Sequence, residues 1–289
     1  MYTIFTDTDC DITPEIAKEY GYKLISMPYV IGDKTIFPYK DFEKFNPKEF
    51  YDILRGGVLP KTCAINQEEY KEYFEPEFKN GNDILYVHFS GSMSGTFTSM
   101  KLAVDELLEK YPERKFYTID TKAITVLSYV IVREIGQMYK EGKTVEELLK
   151  WAEENVDRYA VYFYADDLKF FARSGRVSNF AGFMGNAIGL HPIIHISQEG
   201  QMVSIAKAIG RKKALAKIIE YVDTLQDDIK SHRVVIANTD FDAGVEIIEK
   251  ALNEKFGDDL NYEIIDVNPT AGSHCGPNCI GVCFHAIHR

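Results

Sequence analysis

Apolar positions along this chain switch between short continuous runs and helical spacing, and polar turns separate one pattern from the next. Residues 2–6 are a β-branched and aromatic run that predicts a strand, and 14–20 predict a short helix. Segments 23–30 and 35–38 predict two strands joined through Ile31-Gly32-Asp33-Lys34, a hairpin-like departure from strict strand–helix alternation. Helices follow over 47–54 and 68–78, and the second leads through Asn80-Gly81-Asn82 into a strand at Ile84. Residues 115–119 predict another strand and 123–139 a helix stopped near Gly142. Thr144 and Glu147 have capping-box spacing at the start of the helix that carries Trp151. These alternating units predict a parallel sheet wrapped by helices.

From Tyr159 the pattern changes. Residues 159–164 predict a bulky strand, and 191–197 with 201–210 flank Gln198-Glu199-Gly200, a hairpin signal. A helix from Lys212 to about Leu225, a strand over 233–238, a helix over 244–256 and a strand over 262–267 complete the half. A hairpin combined with βα units predicts a mixed sheet. The expected fold class is therefore α/β in two domains: a Rossmann-like parallel-sheet domain over 1–158 and an α+β domain over 159–289, whose C-terminal segment is free to pack back on the first. No repeat, low-complexity tract or flexible linker interrupts the chain, so the halves are expected to pack closely with the ligand cleft between them.

Composition narrows the function. In 289 residues, 45% apolar content supplies a substantial core, and 27% charged residues exclude general disorder. A net charge of −11 repels phosphate backbones and argues against nucleic-acid binding. Asp7, Asp9 and Asp11 stand where a signal peptide needs basic and then apolar residues, and the run 126–132 is too short to span a bilayer. An odd count of five cysteines without a secretory signal predicts a reduced, cytoplasmic protein.

The stretch 84–100 is the most informative. An apolar run, the turn Gly91-Ser92-Met93-Ser94-Gly95 and then helical spacing through Met100, Ala103, Val104, Leu107 and Leu108 read as strand–turn–helix. Ser94 falls at the expected N-cap, with Gly95 and Thr96 opening the helix, so open amides and the positive end of the helix dipole converge beside a hydroxyl. That corner suits an anion. As a nucleophile Ser94 is less apt, because the hydrolase spacing G-x-S-x-G centres on Ser92.

Two further constellations have both a chemical and a structural reading. Asp7 and Asp9 after the first strand resemble the nucleophile and acid/base pair of haloacid-dehalogenase-type phosphatases, with Asp166-Asp167 as magnesium ligands; alternatively these side chains cap turns and helices. His274, Cys275, Cys279, Cys283, His285 and His288 invite a metal, yet they lack the two separated ligand pairs of structural zinc, and no metal is expected. Phe180, Phe183 and Met184, near Gly182, Gly185 and Gly189, either line an adaptable tunnel or form ordinary core.

In chain order stand Thr6-Asp7-Thr8, Lys61-Thr62, Ser94-Gly95-Thr96-Phe97, Asp120-Thr121-Lys122 and Arg173-Ser174-Gly175-Arg176-Val177-Ser178. They are followed by His191-Pro192-Ile193-Ile194, Gly200, Arg211-Lys212-Lys213-Ala214 and His274-Cys275-Gly276-Pro277. By these motifs the whole chain resembles the DegV family, whose members are similar to the fatty-acid-binding subunit of bacterial fatty acid kinase. The resemblance implies a cytoplasmic bacterial carrier that holds one long-chain fatty acid between its domains, with no cofactor and no catalysis of its own. It implies that Thr62, Ser94 and Gly95 hold the carboxylate and that Arg173, Arg176 and His274 extend the polar network. A separate ATP-dependent kinase subunit is the implied partner, and transient contact with a membrane surface fits such a carrier. The chain departs from the family pattern at Cys63-Ala64-Ile65, at Ser174-Gly175-Arg176-Val177, at His191 and at Asn278.

Overall fold

The first apolar run becomes β1 (Tyr2–Asp7), an inner strand of a four-stranded parallel sheet in the computed structural model. A single 3₁₀ turn over Thr8–Cys10 follows, then α1 (Pro14–Tyr20), which the Thr13 hydroxyl caps by accepting the Ile16 amide. The expected strand over 23–30 divides in two. β2 (Lys23–Ile25) pairs in parallel with β1, whereas β3 (Tyr29–Ile31) turns back as an antiparallel hairpin with β4 (Lys34–Ile36). The break lies where Pro28 lacks an amide proton and where Ser26 and Met27 bond to the Pro38 carbonyl and the Thr8 hydroxyl. After α2 (Pro47–Arg55) comes β5 (Lys61–Thr62), which pairs with β3.

α3 (Gln67–Lys79) opens with a full capping box between Asn66 and Glu69 and leads into β6 (Asp83–His88). α4 (Thr96–Lys110), β7 (Phe116–Asp120), α5 (Val126–Lys140) and α6 (Val145–Asn155) follow. The sheet order β2-β1-β6-β7 sends the carboxyl ends of β1, β6 and β7 to one edge. Helix α5 begins three residues later than expected, because Lys122 and Thr125 take left-handed backbone angles of φ 48 and 53°. Ile4, Phe5, Tyr70, Phe74, Tyr86 and Val87 are buried in the core of this unit, with Phe5 edge-on to Phe74 at 5.4 Å. Each such side chain contributes about 1.5–3 kcal/mol of burial.

The later part of the chain builds a seven-stranded mixed sheet. β8 (Tyr159–Ala165) is followed by α7 (Leu168–Ser174), β9 (Val177–Ser178), β10 (Leu190–Ile196) and β11 (Met202–Ile209), the last two forming the expected hairpin. α8 (Arg211–Leu225), β12 (Val234–Asn238), α9 (Asp242–Phe256), β13 (Tyr262–Asp266), α10 (Pro269–Cys275) and β14 (Cys279–His285) complete it in the order β13-β12-β14-β8-β10-β11-β9. Helices α8 and α9 supply Ile218, Val222, Ile248 and Leu252 to a core shared with Tyr162, Ile236, Val282 and Phe284.

The two compact units are Met1–Phe45 with Lys61–Val156, and Asn46–Pro60 with Asp157–Arg289. The structure describes residues 1–178 and 189–289, so the tunnel candidates Phe180, Gly182, Phe183, Met184 and Gly185 lie outside the described residues. Short helices α7 and α10 and the strand β14 are absent from the sequence-based expectation. β14 is an inner strand between β12 and β8, and all seven of its residues are buried. Cys279 and Cys283 are thus strand residues on one face, four positions apart.

Candidate functional site

The carboxyl edge of a parallel sheet is where ligands of α/β proteins collect, and here it carries Asp7, His88 and Asp120. After β6 the turn to α4 is pinned from several sides. The Ser90 amide donates to the Ala123 carbonyl at 2.6 Å, and the Gly91 and Lys122 amides donate to the two oxygens of Asp120 at 3.1 and 2.7 Å. The Ser92 amide reaches the Ser90 hydroxyl at 3.2 Å. The seven residues between β6 and α4 are in this way held by the Asp120 carboxylate, the Ser90 hydroxyl and the Ala123 carbonyl.

Gly95, rather than Ser94, occupies the N-cap position of α4 (φ −74°, ψ −3°). Ser94 still serves the helix, because its hydroxyl accepts the Thr96 amide at 3.2 Å. A hydroxyl that accepts through a lone pair keeps its own proton to donate. Thr98 donates its amide to the Gly95 carbonyl, so the Gly95 and Phe97 amides remain as the outward donors of the first turn among the described residues.

Thr62, half-buried, sits opposite Tyr29 in the short β3–β5 ladder. Its strand is tied to the head of α4 through Thr96. The Ile65 amide donates to the Thr96 hydroxyl oxygen at 3.2 Å, and the Tyr70 hydroxyl lies 3.0 Å from the same oxygen. Three residues beyond Thr62 and two beyond Ser94, the two segments are latched together. Thr96 and Tyr70 were not among the site residues expected from sequence. Thr96 lies inside the Ser94-Gly95-Thr96-Phe97 motif, but nothing local marks Tyr70, which is 26 residues away.

Asp7 is fully buried, and its Oδ2 accepts the Tyr86 hydroxyl at 2.9 Å and the Phe89 amide at 3.2 Å. Desolvation outweighs these bonds and pushes its pKa up to about 7. Asp9 is raised well above the usual range by burial and by Asp7 and Asp11 beside it. The haloacid-dehalogenase reading finds no support here: Asp7 is fully buried with Oδ2 already bonded to Tyr86 and Phe89. Its supposed magnesium ligands are engaged elsewhere: Asp166 pairs with Arg211 at 2.5 Å, and Asp167 caps α7 by accepting the Lys169 amide at 3.1 Å. Among the described residues, no group of three or more His, Cys, Asp or Glu side chains is placed to hold a metal ion.

His88 closes the edge. Its Nδ1 donates to the Phe89 carbonyl at 2.6 Å, its ring lies 4.3 Å from that of Phe97, and burial lowers its pKa against the pull of Asp120.

The second unit assembles the other expected residues around α7 and α10. Arg173 donates to the Leu59 carbonyl at 2.7 Å, and Arg176 folds its guanidinium onto the Ser174 carbonyl. His274 stands in the last turn of α10, where burial, then the charges of Arg176 and Arg173, push its pKa down to about 4. At neutral pH it is therefore an uncharged imidazole beside two cations. Thr62, Ser94 and Gly95 belong to the first unit, and Arg173, Arg176 and His274, the last within reach of both guanidinium charges, belong to the second.

A family model described as "Uncharacterised protein, DegV family" matches residues 1–286. A DegV domain-containing protein of Clostridium perfringens is 31% identical over 98% of this chain and 97% of its own. Among solved structures, a DegV family protein of Thermus thermophilus described by its fatty acid binding has a TM-score of 0.84 at 22% identity over 99% of each chain. A stearic-acid-binding protein of Eubacterium ventriosum gives 0.83 at 20% identity, covering 99% of this chain and 98% of its own. At such identities the structures share a fold. No helix of the described residues is long and apolar enough to cross a membrane. On the family model and the Clostridium relative together, this chain belongs to the DegV family.

Proposed function

We propose that this protein binds one long-chain fatty acid and presents its carboxylate to a separate ATP-dependent kinase subunit in the cytoplasm. The observation that carries this reading is the latched corner at the head of α4, where the Ser94 hydroxyl accepts from Thr96 and keeps its proton for an anion. Thr62, Ser94 and the Gly95 amide are the proposed carboxylate donors, and Arg173 and Arg176 are the proposed charge partners. His274 adds a neutral donor. Proteins of the same fold from Ruminococcus gnavus, Eubacterium ventriosum and Eubacterium eligens are described with vaccenic, stearic and heptadecanoic acid, which supports the choice of ligand.

Energetics make the head group decisive. Burying about fifteen methylenes yields roughly 12 kcal/mol, and association costs of about 4–15 kcal/mol oppose it. The sequence carries no G-x-x-x-x-G-K-[ST] loop to hold ATP, so the phosphoryl step is assigned to the partner. There a carboxylate oxygen would attack the γ-phosphorus of ATP, the bond to the β–γ bridging oxygen would break and ADP would leave, giving an acyl phosphate with this chain as carrier of substrate and product.

Binding of a fatty acid and of the alcohol of equal length tests the proposal. Ser94→Ala and Thr62→Ala should each weaken acid binding by about 1–3 kcal/mol, the usual loss for a donor to a desolvated anion. The double variant should lose most discrimination between acid and alcohol, because tail contacts are untouched. Equal binding of acid and alcohol by the unaltered protein, or full discrimination by the double variant, would exclude this corner as the head-group site. Formation of acyl phosphate from ATP by this chain alone would exclude the carrier role.

A further inference from the structure

Building on the head-group assignment above, we propose that Thr96 and Tyr70 are positioning residues for the carboxylate site. Together they set the spacing of the Thr62 and Ser94 hydroxyls and so make the site prefer a carboxylate to a neutral head group.

The strand that carries Thr62 gives it a short hold. β5 is two residues long and has two paired positions, Thr62 with Tyr29 and Lys61 with Val30. So small a ladder is marginal by itself. Beyond Thr62 the chain passes through the exposed Cys63 and Ala64 to the fully buried Ile65 and the Asn66 cap of α3.

Thr96 ties this segment to that of Ser94. Its amide donates to the Ser94 hydroxyl at 3.2 Å, and its Oγ1 accepts the Ile65 amide at 3.2 Å and lies 3.0 Å from the Tyr70 hydroxyl. One residue thus holds Ser94 with its backbone and the Thr62 segment with its side chain. Thr96 is 1% exposed and Ile65 and Tyr70 are fully buried, so water does not compete for these bonds. Tyr70 extends the tie into α3, where its ring stacks on Phe74 at 5.7 Å. One turn further along α3, the Tyr73 hydroxyl accepts the Ser26 amide at 3.1 Å, shortly before β3, the strand that pairs with β5. Helix α3 therefore braces both flanks, with Tyr70 at the head of α4 and Tyr73 at the approach to β3.

The chemistry of the ligand turns spacing into selectivity. A carboxylate offers two oxygens at a fixed separation, so two hydroxyls at matching distance each meet one of them. An alcohol has a single oxygen and engages one hydroxyl whatever the gap. Loosening the tie therefore penalises the acid and spares the alcohol.

Binding of a fatty acid and of the alcohol of equal length to the full chain provides the test. Tyr70→Phe removes a hydroxyl and keeps the ring, and Thr96→Val exchanges a hydroxyl for a methyl. Each should lower the preference for acid over alcohol about tenfold, with alcohol affinity unchanged, and Thr96→Ser should retain it. Ser94→Ala should cost less in the Thr96→Val background than in the unaltered protein, because residues that act as a unit are not additive. If Thr96→Val does not fold, Tyr70→Phe decides alone. Full preference kept by either folded variant overturns the proposal, and so does an equal loss of acid and alcohol affinity, the mark of a purely structural role. If the unaltered protein itself binds acid and alcohol equally, the head-group site fails and the positioning role falls with it.

Discussion

At Asp7 one carboxyl carries both the pull of two donors and the larger cost of complete burial. In the unfolded chain such a group ionises near pH 4, whereas here it does so near pH 7. Between those values unfolding releases a proton, so this contribution to stability is full below pH 4 and is lost as pH rises toward 7. Asp7→Asn keeps an oxygen to accept from Tyr86 and Phe89 but cannot ionise. Its stability, measured by denaturant unfolding from pH 4 to 8, should vary less steeply with pH and exceed that of the unaltered protein above pH 7, by at most about 4 kcal/mol. An unchanged slope would mean that Asp7 does not titrate in this range. His274 acts at the other end of the scale. With its pKa lowered to about 4 from an ordinary value near 6.5, it favours the fold above pH 6.5 and withdraws that support as pH falls toward 4. His274→Asn should flatten this acid limb, by up to about 3 kcal/mol, and a limb equally steep in the variant would place the loss elsewhere. Neither shift was visible in the sequence, since burial is a property of packing.

Among elements, the ones with local punctuation were legible. Thr144 and Glu147 cap α6 as their spacing predicts, and Gln198-Glu199-Gly200 turns the β10–β11 hairpin. The Ser94 corner was also readable, displaced by one residue: Gly95 stands at the N-cap with helical backbone angles, and the Ser94 hydroxyl caps from the position before it. β14 was not. Its run Cys-Ile-Gly-Val-Cys-Phe-His has strand character, but the cysteines and histidines drew attention to metal chemistry, and its partners β8 and β12 lie far back along the chain. α10 is equally inconspicuous at seven residues, yet its packing is exacting. A Cβ at Gly272 would fall 2.5 Å from the hydroxyl of Tyr51, a fully buried side chain of α2 that donates to the Val267 carbonyl at 2.9 Å. Gly272→Ala should therefore destabilise the protein by about 1–3 kcal/mol, the range for overpacking. Tyr51→Phe removes the obstructing hydroxyl, so the double variant should be more stable than the sum of the two losses predicts. Strict additivity in denaturant melts would show that the methyl is accommodated without touching Tyr51.

For the whole molecule, net charge, alternating elements and the family motifs made the class legible, while the membership of residues 46–60 was not. Helix α2 joins the second unit through contacts remote in sequence: Tyr51 with Val267, and Arg55 with Asp240 and Asn278. Nothing within fifteen residues can announce partners of that kind. A fragment of residues 157–289 should accordingly be poorly folded alone and gain protection from hydrogen exchange when a peptide of residues 46–60 is added. Equal protection with and without the peptide would show that the fragment needs no help from α2.

The same arrangement sets a clock on the ribosome. Tyr51 is made 216 residues before the carbonyl it will bond, and at about 5–20 residues per second that is an interval of about 10–40 s. Throughout it, Phe50, Tyr51 and Leu54, all buried in the finished protein, have no second unit to cover them. Residues 61–156 can meanwhile fold with the first forty-five, leaving α2 as an unpaired apolar loop on a nascent domain. Slowing translation should lengthen that exposure and speeding it should shorten it, so the yield of soluble protein depends on how quickly the last strands arrive.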